Sequence, residues 1–293
     1  MYAAIAYLTT DARRLARIRR YGSLIPAPAV TALCWLLAVL LWVGAPGLRR
    51  RVETSMRDVL PESARFGQTL VYFACLWRLL YEVMIGVFHL EHAGAERFKL
   101  EGVEQLEAAL ALGRGAILFA PHLGNFFYAY WYLCRHYPCL TVGTAASPEL
   151  RPLYQTFYDL GCGGLDYDAT PPREMLRTLR RHLANNGVVL LLGDFWRPAF
   201  PHARMFGRDV RSPQGAAVFA LEDGVPIVPF HTVRKGRHQH LIFAPPRYLS
   251  QEFARHERTA ATNSLNQWLS TTIAAHPTQW LYWFNVTERW ENR

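Results

Sequence analysis

Charged residues are scarce in this chain of 293 residues, where Asp, Glu, Lys and Arg together make up 19% while 51% is apolar and 13% aromatic. Such a chain can bury enough apolar surface to offset the entropy lost on folding, which excludes a disordered or low-complexity protein. The mean hydropathy of −0.01 is too low for a transporter with many membrane spans. The sequence contains no internal repeat and no linker long enough to separate two domains.

Cysteine is scarce as well, with five residues and no C-x-x-C pair: Cys34, Cys75, Cys134, Cys139 and Cys162. An odd number at this spacing is typical neither of a disulfide framework nor of a zinc site. We interpret the cysteines as small apolar core residues in a reducing compartment. His238 and His240 share one face of a predicted strand but lack a third ligand at suitable spacing, so we expect no metal site.

Positive charge exceeds negative charge, with 32 Lys and Arg against 23 Asp and Glu, a net charge of +9. This balance favours anionic partners: phospholipid, an acidic carrier protein or nucleic acid. We expect no nucleic acid as a partner, because the sequence has no recognisable binding module and its arginines cluster beside an apolar segment. Arg177, Arg180 and Arg181 on a predicted helix suit either an acidic carrier protein or a solvated surface.

The N-terminal part combines arginines with a long apolar segment. Five arginines lie within residues 11–20, the apolar segment covers residues 29–45, and three arginines follow at 49–51. The basic block lies too deep in the chain for a signal peptide. A helix over the apolar segment would reach about 25 Å, less than a hydrocarbon core of about 30 Å, and arginines on both flanks oppose a span.

We therefore favour a monotopic membrane anchor over a true span or an internal core helix. On this interpretation residues 1–60 form a membrane-associated helical region. Residues 61–293 form the second unit of the chain.

Helical and strand patterns alternate from about residue 100 onwards. The patterns predict helices at 69–90, 103–112, 125–137, 173–185, 212–222 and 259–275. They predict strands at 116–121, 140–144, 188–193, 227–233 and 240–244, followed by an apolar end piece at 279–285. This alternation indicates a single α/β domain with a mostly parallel central sheet flanked by helices.

The most specific local motif is F-A-P-H-L-G-N-F-F at residues 119–127. His122 follows a predicted buried strand, and Gly124 and Asn125 open the next helix. Ligands of open α/β sheets bind at the carboxyl ends of the strands, and a helix N-terminus offers backbone donors to an anion. His122 is therefore a candidate general base, the alternative being a histidine that merely caps the helix.

This motif resembles the H-x-G-N-W-E signature of the bacterial lauroyl/myristoyl acyltransferase family, the late acyltransferases of lipid A biosynthesis. That family lies in the lysophospholipid acyltransferase superfamily, whose motif is H-x4-D/E. Further blocks that are similar to the family follow its order along the chain, at residues 49–62, 188–194, 205–215, 224–230 and 276–284. Together the similar blocks extend over roughly residues 20–290.

The resemblance implies a glycerolipid acyltransferase-like fold and acyl transfer from an acyl carrier protein or coenzyme A thioester. The acceptor would be a hydroxyl or amine of a lipid or lipid-like molecule at the cytoplasmic face of the bacterial inner membrane. Membrane lipid and an acidic acyl carrier protein are the implied partners, and no cofactor is needed besides the donor thioester. His122 would deprotonate the acceptor, and a carboxylate five residues later would orient its ring.

The chain departs from the family pattern at that position. Phe127 stands in place of the acid and Phe126 in place of the usual Trp, and Gly161-Cys162-Gly163 replace an expected R-x-R whose block retains Arg151. Asp194, which follows the predicted strand 188–193, is the candidate to accept the His122 ring proton or, failing that, to order the loop 195–206.

Further residues are candidates for substrate contacts. Ser212 lacks the nucleophile-elbow spacing and is interpreted as the start of a turn into a helix whose amides hold phosphate. The full candidate set for substrate binding is Gly124, Asn125, Phe126, Phe127, Arg151, Phe206, Gly207, Ser212 and Gly215. The alternatives to a lipid acyltransferase are a catalytically silent relative that binds lipid or carrier protein, and an aminoacyl or secondary-metabolite acyltransferase.

Overall fold

The computed structural model describes residues 10–60, 67–91, 95–144 and 151–291. The α-helices of these ranges are α1 Ala12–Gly22, α2 Ala27–Gly44, α3 Pro46–Val59, α4 Gln68–Met84, α5 Val103–Leu110, α6 Phe126–His136, α7 Arg151–Asp159, α8 Pro172–Ala184, α9 Gly215–Glu222, α10 Leu249–Glu252 and α11 Arg258–Ala275. The strands are β1 Phe98–Glu101, β2 Ala116–Ala120, β3 Cys139–Gly143, β4 Gly164–Asp166, β5 Val188–Leu192, β6 His202–Met205, β7 Arg208–Arg211, β8 Ile227–Lys235 and β9 His238–Phe243. Single turns of 3-10 helix lie at Gly86–His89, Ala95–Arg97, Pro277–Gln279, Leu281–Phe284 and Val286–Arg289.

Seven strands form one sheet in the order β1-β9-β8-β2-β5-β3-β4. Every neighbouring pair is parallel except β8 and β9, which form an antiparallel hairpin. Strands β6 and β7 form a separate antiparallel pair. The predicted single α/β domain with a mostly parallel central sheet is confirmed.

The two central strands are apolar along their length because helices cover both of their faces. Ile117 and Phe119 of β2 belong to one buried cluster, while Leu118 belongs to a second cluster on the other face, as alternation along a strand requires. Strands β2 and β5 pair in register from Ala116 opposite Val188 to Ala120 opposite Leu192. This register brings the segments that follow the two strands to the same edge of the sheet.

The predicted helix 69–90 is shorter in the structure, since α4 ends at Met84 and a 3-10 turn follows. The hydroxyl of Tyr128 donates a 2.9 Å hydrogen bond to the Glu82 carbonyl oxygen. In a continuing α-helix that oxygen would accept from the amide of Gly86. A Cβ on Gly86 would lie 2.7 Å from the same Tyr128 hydroxyl, so this turn also requires the small residue.

Helix α2 is packed against α4 on one side only. Its buried residues are Val30, Cys34 and Ala38, whereas Leu36 and Leu40 are 56% and 57% exposed. Within the described ranges, α2 is the one helix long and apolar enough to cross a membrane. The exposed apolar side makes α2 a candidate for membrane association, while its buried side packs against α4.

The predicted boundary between residues 60 and 61 stays a prediction, and residues 61–66, like residues 1–9, lie outside the described ranges. Val52 and Met56 of α3 are buried in the same cluster as Ile117 of the central sheet. The end of the N-terminal region therefore contributes directly to the core of the α/β domain.

Candidate active site

His122 and Asp194 each follow a central strand by two residues and meet at the sheet edge. His122 Nδ1 lies 2.7 Å from Asp194 Oδ1, and the backbone amide of His122 donates to Oδ2 at 2.9 Å. Trp280 Nε1 donates to the same Oδ2 at 2.7 Å. Three donors thus fix the carboxylate, and through it the orientation of the imidazole.

Asp194 is only 4% exposed, and its ionisation reflects two opposing effects. Burial by itself would raise the pKa of the carboxyl. The charge and hydrogen bonds of His122 and the hydrogen bond from Trp280 outweigh burial, and they hold the pKa of Asp194 below its ordinary value. The group is therefore a carboxylate at neutral pH, as an acceptor for the Nδ1 proton must be.

The second ring nitrogen of His122 faces the cleft. With its proton on Nδ1, the ring presents Nε2 as an acceptor, and the hydroxyl of Tyr282 lies 3.1 Å from it. The rings of Phe126 and Tyr282 pack edge-on against the imidazole at 4.8 and 4.7 Å between centroids. A substrate hydroxyl that took the place of the Tyr282 hydroxyl at this distance would be within reach of His122 as a general base.

The C-terminal segment holds the His122 loop in place through the main chain. The amide of Leu281 donates to the His122 carbonyl oxygen and the amide of Gly124 donates to that of Gln279, each at 3.0 Å. Gly124 has a φ of +59°, and a Cβ there would lie 2.3 Å from the carbonyl oxygen of Thr232. The glycine of the motif is therefore required by the close approach of strand β8.

Asn125 joins the loop to helix α6. Its side-chain oxygen accepts from the amide of Tyr128 at 3.0 Å and caps the helix, while its amide donates to Glu82 Oε2 at 2.8 Å. Glu82 is 2% exposed and is paired with Arg78 and Arg234. Glu82 is not among the predicted site residues, although its spacing of four residues from Arg78 is typical of an ion pair within one helix.

The cleft beside His122 has a volume of about 340 Å³. Its lining includes leucine and valine side chains of α4, the rings of Phe126 and Phe127, and the polar groups of Trp196, Arg197 and Arg289. An apolar cavity of about 210 Å³ shares Phe126 and Phe127 with it and extends to Tyr130 and Arg151. The two cavities therefore adjoin at the rings of Phe126 and Phe127.

The remaining predicted substrate contacts lie away from this cleft. Phe206 and Gly207 form the turn between β6 and β7, and the Phe206 ring packs against Trp280 at 5.9 Å between centroids. Ser212 is buried and accepts from Asn266 Nδ2 at 2.9 Å. The predicted helix 212–222 begins only at Gly215, which borders a separate cavity of about 190 Å³. Their role in binding stays a prediction.

His238 and His240 were the weak metal candidate of the sequence. His240 Nδ1 lies 2.6 Å from Glu101 Oε1, within hydrogen-bond distance across neighbouring strands. In the part of the chain that the structure describes, no group of three or more His, Cys, Asp or Glu side chains is arranged to hold a metal ion.

Comparison with known proteins gives a consistent result. A family model described as bacterial lipid A biosynthesis acyltransferase matches residues 24–291. A phosphatidylinositol mannoside acyltransferase of Mycobacterium tuberculosis is 33% identical over 186 residues, which cover 61% of this chain and 56% of that protein. The protein of the same name from Mycolicibacterium smegmatis is 27% identical over 220 residues, 72% of this chain and 68% of its own length.

The chain therefore spans little more than half the length of the M. tuberculosis relative. The matched family and these relatives are named acyltransferases, which supports an enzyme over a catalytically silent relative. The resemblance read from the sequence blocks is confirmed at the level of the family.

Proposed function

Because the chain belongs to the bacterial lipid A biosynthesis acyltransferase family, we propose that it transfers a fatty acyl group from a thioester to a hydroxyl of a membrane glycolipid. The donor is a thioester of coenzyme A or acyl carrier protein. The relatives named phosphatidylinositol mannoside acyltransferases support a headgroup that carries sugar hydroxyls.

In the proposed reaction His122 acts as general base. Its Nε2 takes the proton of the acceptor hydroxyl as the oxygen attacks the thioester carbonyl, and a tetrahedral intermediate forms. Collapse of the intermediate breaks the carbon–sulfur bond, and the imidazolium returns the proton to the thiolate. Asp194 stabilises the imidazolium and keeps the neutral ring in the tautomer with Nδ1 protonated.

The observation that carries this proposal is the 2.7 Å contact between His122 Nδ1 and Asp194 Oδ1. A buried, ionised carboxylate on Nδ1 together with an Nε2 that faces a cleft is the arrangement expected of a general base. The position five residues after His122 is occupied by Phe127, which is partly exposed and packs on Phe126 and Phe157. We propose that Asp194 supplies the carboxylate that the family places there.

The apolar lining of the cleft supports an alkyl chain as the transferred group. Leu76, Leu79 and Val83 of α4 line it together with Phe126 and Phe127, and burying an alkyl chain against them stabilises the complex by about 0.8 kcal/mol per methylene. We propose that the thioester carbonyl lies beside His122 while the chain extends along this surface.

The proposed location is the cytoplasmic face of the inner membrane, with α2 as a monotopic anchor. The exposed apolar side of α2 lies between the arginines of α1 and those at the start of α3, where they can contact anionic headgroups. A shallow anchor of this kind leaves the cleft accessible to a lipid headgroup and to a soluble thioester donor.

The test is acyl transfer by the full chain in vesicles that contain a phosphatidylinositol mannoside, with palmitoyl coenzyme A or palmitoyl carrier protein added. Mass spectrometry should detect a new ester on the glycolipid and an equal amount of free thiol. His122→Ala is the matched control and should yield neither. A folded protein that consumes no thioester with hydroxyl or amine acceptors would instead be the silent, lipid-binding relative.

A further inference from the structure

Arg289 is a buried cation in the wall of the His122 cleft. It ends the 3-10 turn Val286–Arg289 and is 7% exposed. Its guanidinium carbon lies 3.7 Å from the centroid of the Tyr282 ring, and the hydroxyl of that ring lies 3.1 Å from His122 Nε2. A fixed positive charge therefore stands one aromatic side chain away from the reacting nitrogen.

This guanidinium has neither a hydrogen-bond acceptor nor a carboxylate partner among the described residues. Arg289 Nε is buried without a hydrogen-bond acceptor, and among the described ion pairs none includes Arg289. Arg234, which is also poorly exposed, is paired with Glu82. Burying an unpaired arginine is costly unless an anion joins it.

A second donor without an acceptor lines the same cleft. The indole Nε1 of Trp196 is buried and has no partner in the described chain. The neighbouring charges already have partners: Arg197 is paired with Asp168 at 3.2 Å, and Glu288 accepts from Asn285 Nδ2 at 3.3 Å. Two residues that line one cleft thus each carry an N–H donor without an acceptor among the described residues, as expected of a site for a ligand with acceptor oxygens and negative charge.

We propose that Arg289, with Trp196 as a second donor, binds a phosphate ester of the substrate in the His122 cleft. A guanidinium matches the geometry of phosphate oxygens and binds them through two N–H groups. Both substrates of the proposed reaction offer this group, since the 4′-phosphopantetheine arm of the donor and the headgroup of a phospholipid acceptor each contain a phosphate ester. The inference rests on the proposed function and adds an anchor for its substrate.

The test measures binding rather than turnover, so its result can be interpreted even if the protein does not catalyse the proposed reaction. Isothermal titration of the full chain compares 4′-phosphopantetheine with pantetheine, and glycerophosphoinositol with inositol. The parent should bind the phosphorylated member of one pair roughly ten- to a hundredfold more tightly, as expected for hydrogen bonds to a charged group. The first pair identifies the donor as the source of the phosphate, and the second identifies the acceptor lipid.

Variants then assign the site to Arg289. Arg289→Gln should abolish the preference for phosphate, and Arg289→Lys should restore part of it because the charge is retained. Arg208→Gln is the matched control, since Arg208 also lies over an aromatic ring, that of Trp290 at 5.6 Å, but lies outside the cleft.

Equal affinity of the parent for both members of each pair overturns the proposal, whether or not Arg289→Gln folds. Retention of the preference in a folded Arg289→Gln overturns it as well. Binding of phosphate by the parent without any acyl transfer would refute the proposed function and leave the phosphate site standing.

Discussion

Asp194 reaches His122 from the neighbouring strand, with 2.7 Å between Oδ1 and Nδ1, and not from the helix that follows the histidine. The parallel register of β2 and β5 sets this contact. Ala120 at the end of β2 lies opposite Leu192 at the end of β5, and His122 and Asp194 each follow these residues by two positions. The carboxylate is held by Trp280 as well, so it is oriented before any substrate binds.

Replacing the carboxylate by an amide tests its role with little change in volume. Asp194→Asn removes the charge that stabilises an imidazolium and the acceptor that holds the proton on Nδ1. We expect kcat to fall by about 10²–10⁴-fold, the range in which positioned acid–base groups and their orienting acids act. The fall in kcat is measured from initial rates of thiol release at saturating substrate. Asp209→Asn, at an exposed aspartate paired with Arg204 outside the cleft, is the control and should keep the parental rate.

Restoring an acid at the family position should not raise activity. Phe127 packs against Phe126, Tyr154 and Phe157, and Asp194 already occupies Nδ1 of the histidine. Phe127→Glu therefore places a charge among aromatic rings, and we expect a lower Tm and no gain in rate. Phe127→Leu controls for the loss of the ring. A rate increase in Phe127→Glu would mean that the site lacks its acid.

The exposed side of α2 should carry much of the membrane affinity. Leu36, Leu40 and Val43 are each more than half exposed, and burying such side chains in the interface contributes about 1.5–3 kcal/mol each. Changing all three to Asp should reduce binding to anionic vesicles by at least about tenfold in a flotation assay. Gln267→Asp with Thr271→Asp, at exposed positions of α11, is the control for added charge. Unchanged flotation would locate the anchor elsewhere.

Stability should fall in mildly acidic solution because of His231. Burial first, and the nearby His276, lower the pKa of His231 from 6.5 to about 4. Between pH 4 and 6.5 the unfolded chain therefore binds more protons at this position than the folded chain does. The contribution of His231 to the free energy of unfolding is fully present above pH 6.5 and is lost as the pH falls towards 4. The expected loss across this window is up to about 3 kcal/mol.

Urea titrations at several pH values measure this slope. His231→Phe should flatten the slope between pH 4 and 6.5, whereas His256→Gln, at an exposed histidine, should leave it unchanged. A parental slope in His231→Phe would show that other groups cause the acid sensitivity.

The central part of the fold could be predicted from continuous apolar runs. Strands β2 and β5 end within one residue of the predicted strands 116–121 and 188–193, because parallel strands covered on both faces are apolar throughout. Strand β4 has only three residues and β1 exposes three of its four, so neither gives such a pattern. These edge strands depend on their neighbours in the sheet more than on their own sequence.

The candidate site was predictable only in part, because some of its residues are brought there by tertiary contacts and not by a local sequence pattern. His122 and Asp194 each follow an apolar strand, so the rule about strand ends located both. Tyr282, Trp280 and Arg289 reach the site from a segment about 160 residues later along the chain than His122, and no local pattern relates them to it. Their contribution depends on the main-chain pairing between Leu281 and His122, which only the tertiary structure provides.

The most direct test of His122 as the general base is the single-turnover rate of acyl transfer in His122→Gln. Preloaded palmitoyl thioester and glycolipid acceptor are mixed with excess protein, and formation of the ester is followed by mass spectrometry. We predict a rate about 10²–10⁴-fold below the parent, with thioester binding unchanged because the apolar surface of Leu76, Leu79 and Phe126 is intact. A rate within a few-fold of the parent would contradict His122 as the general base.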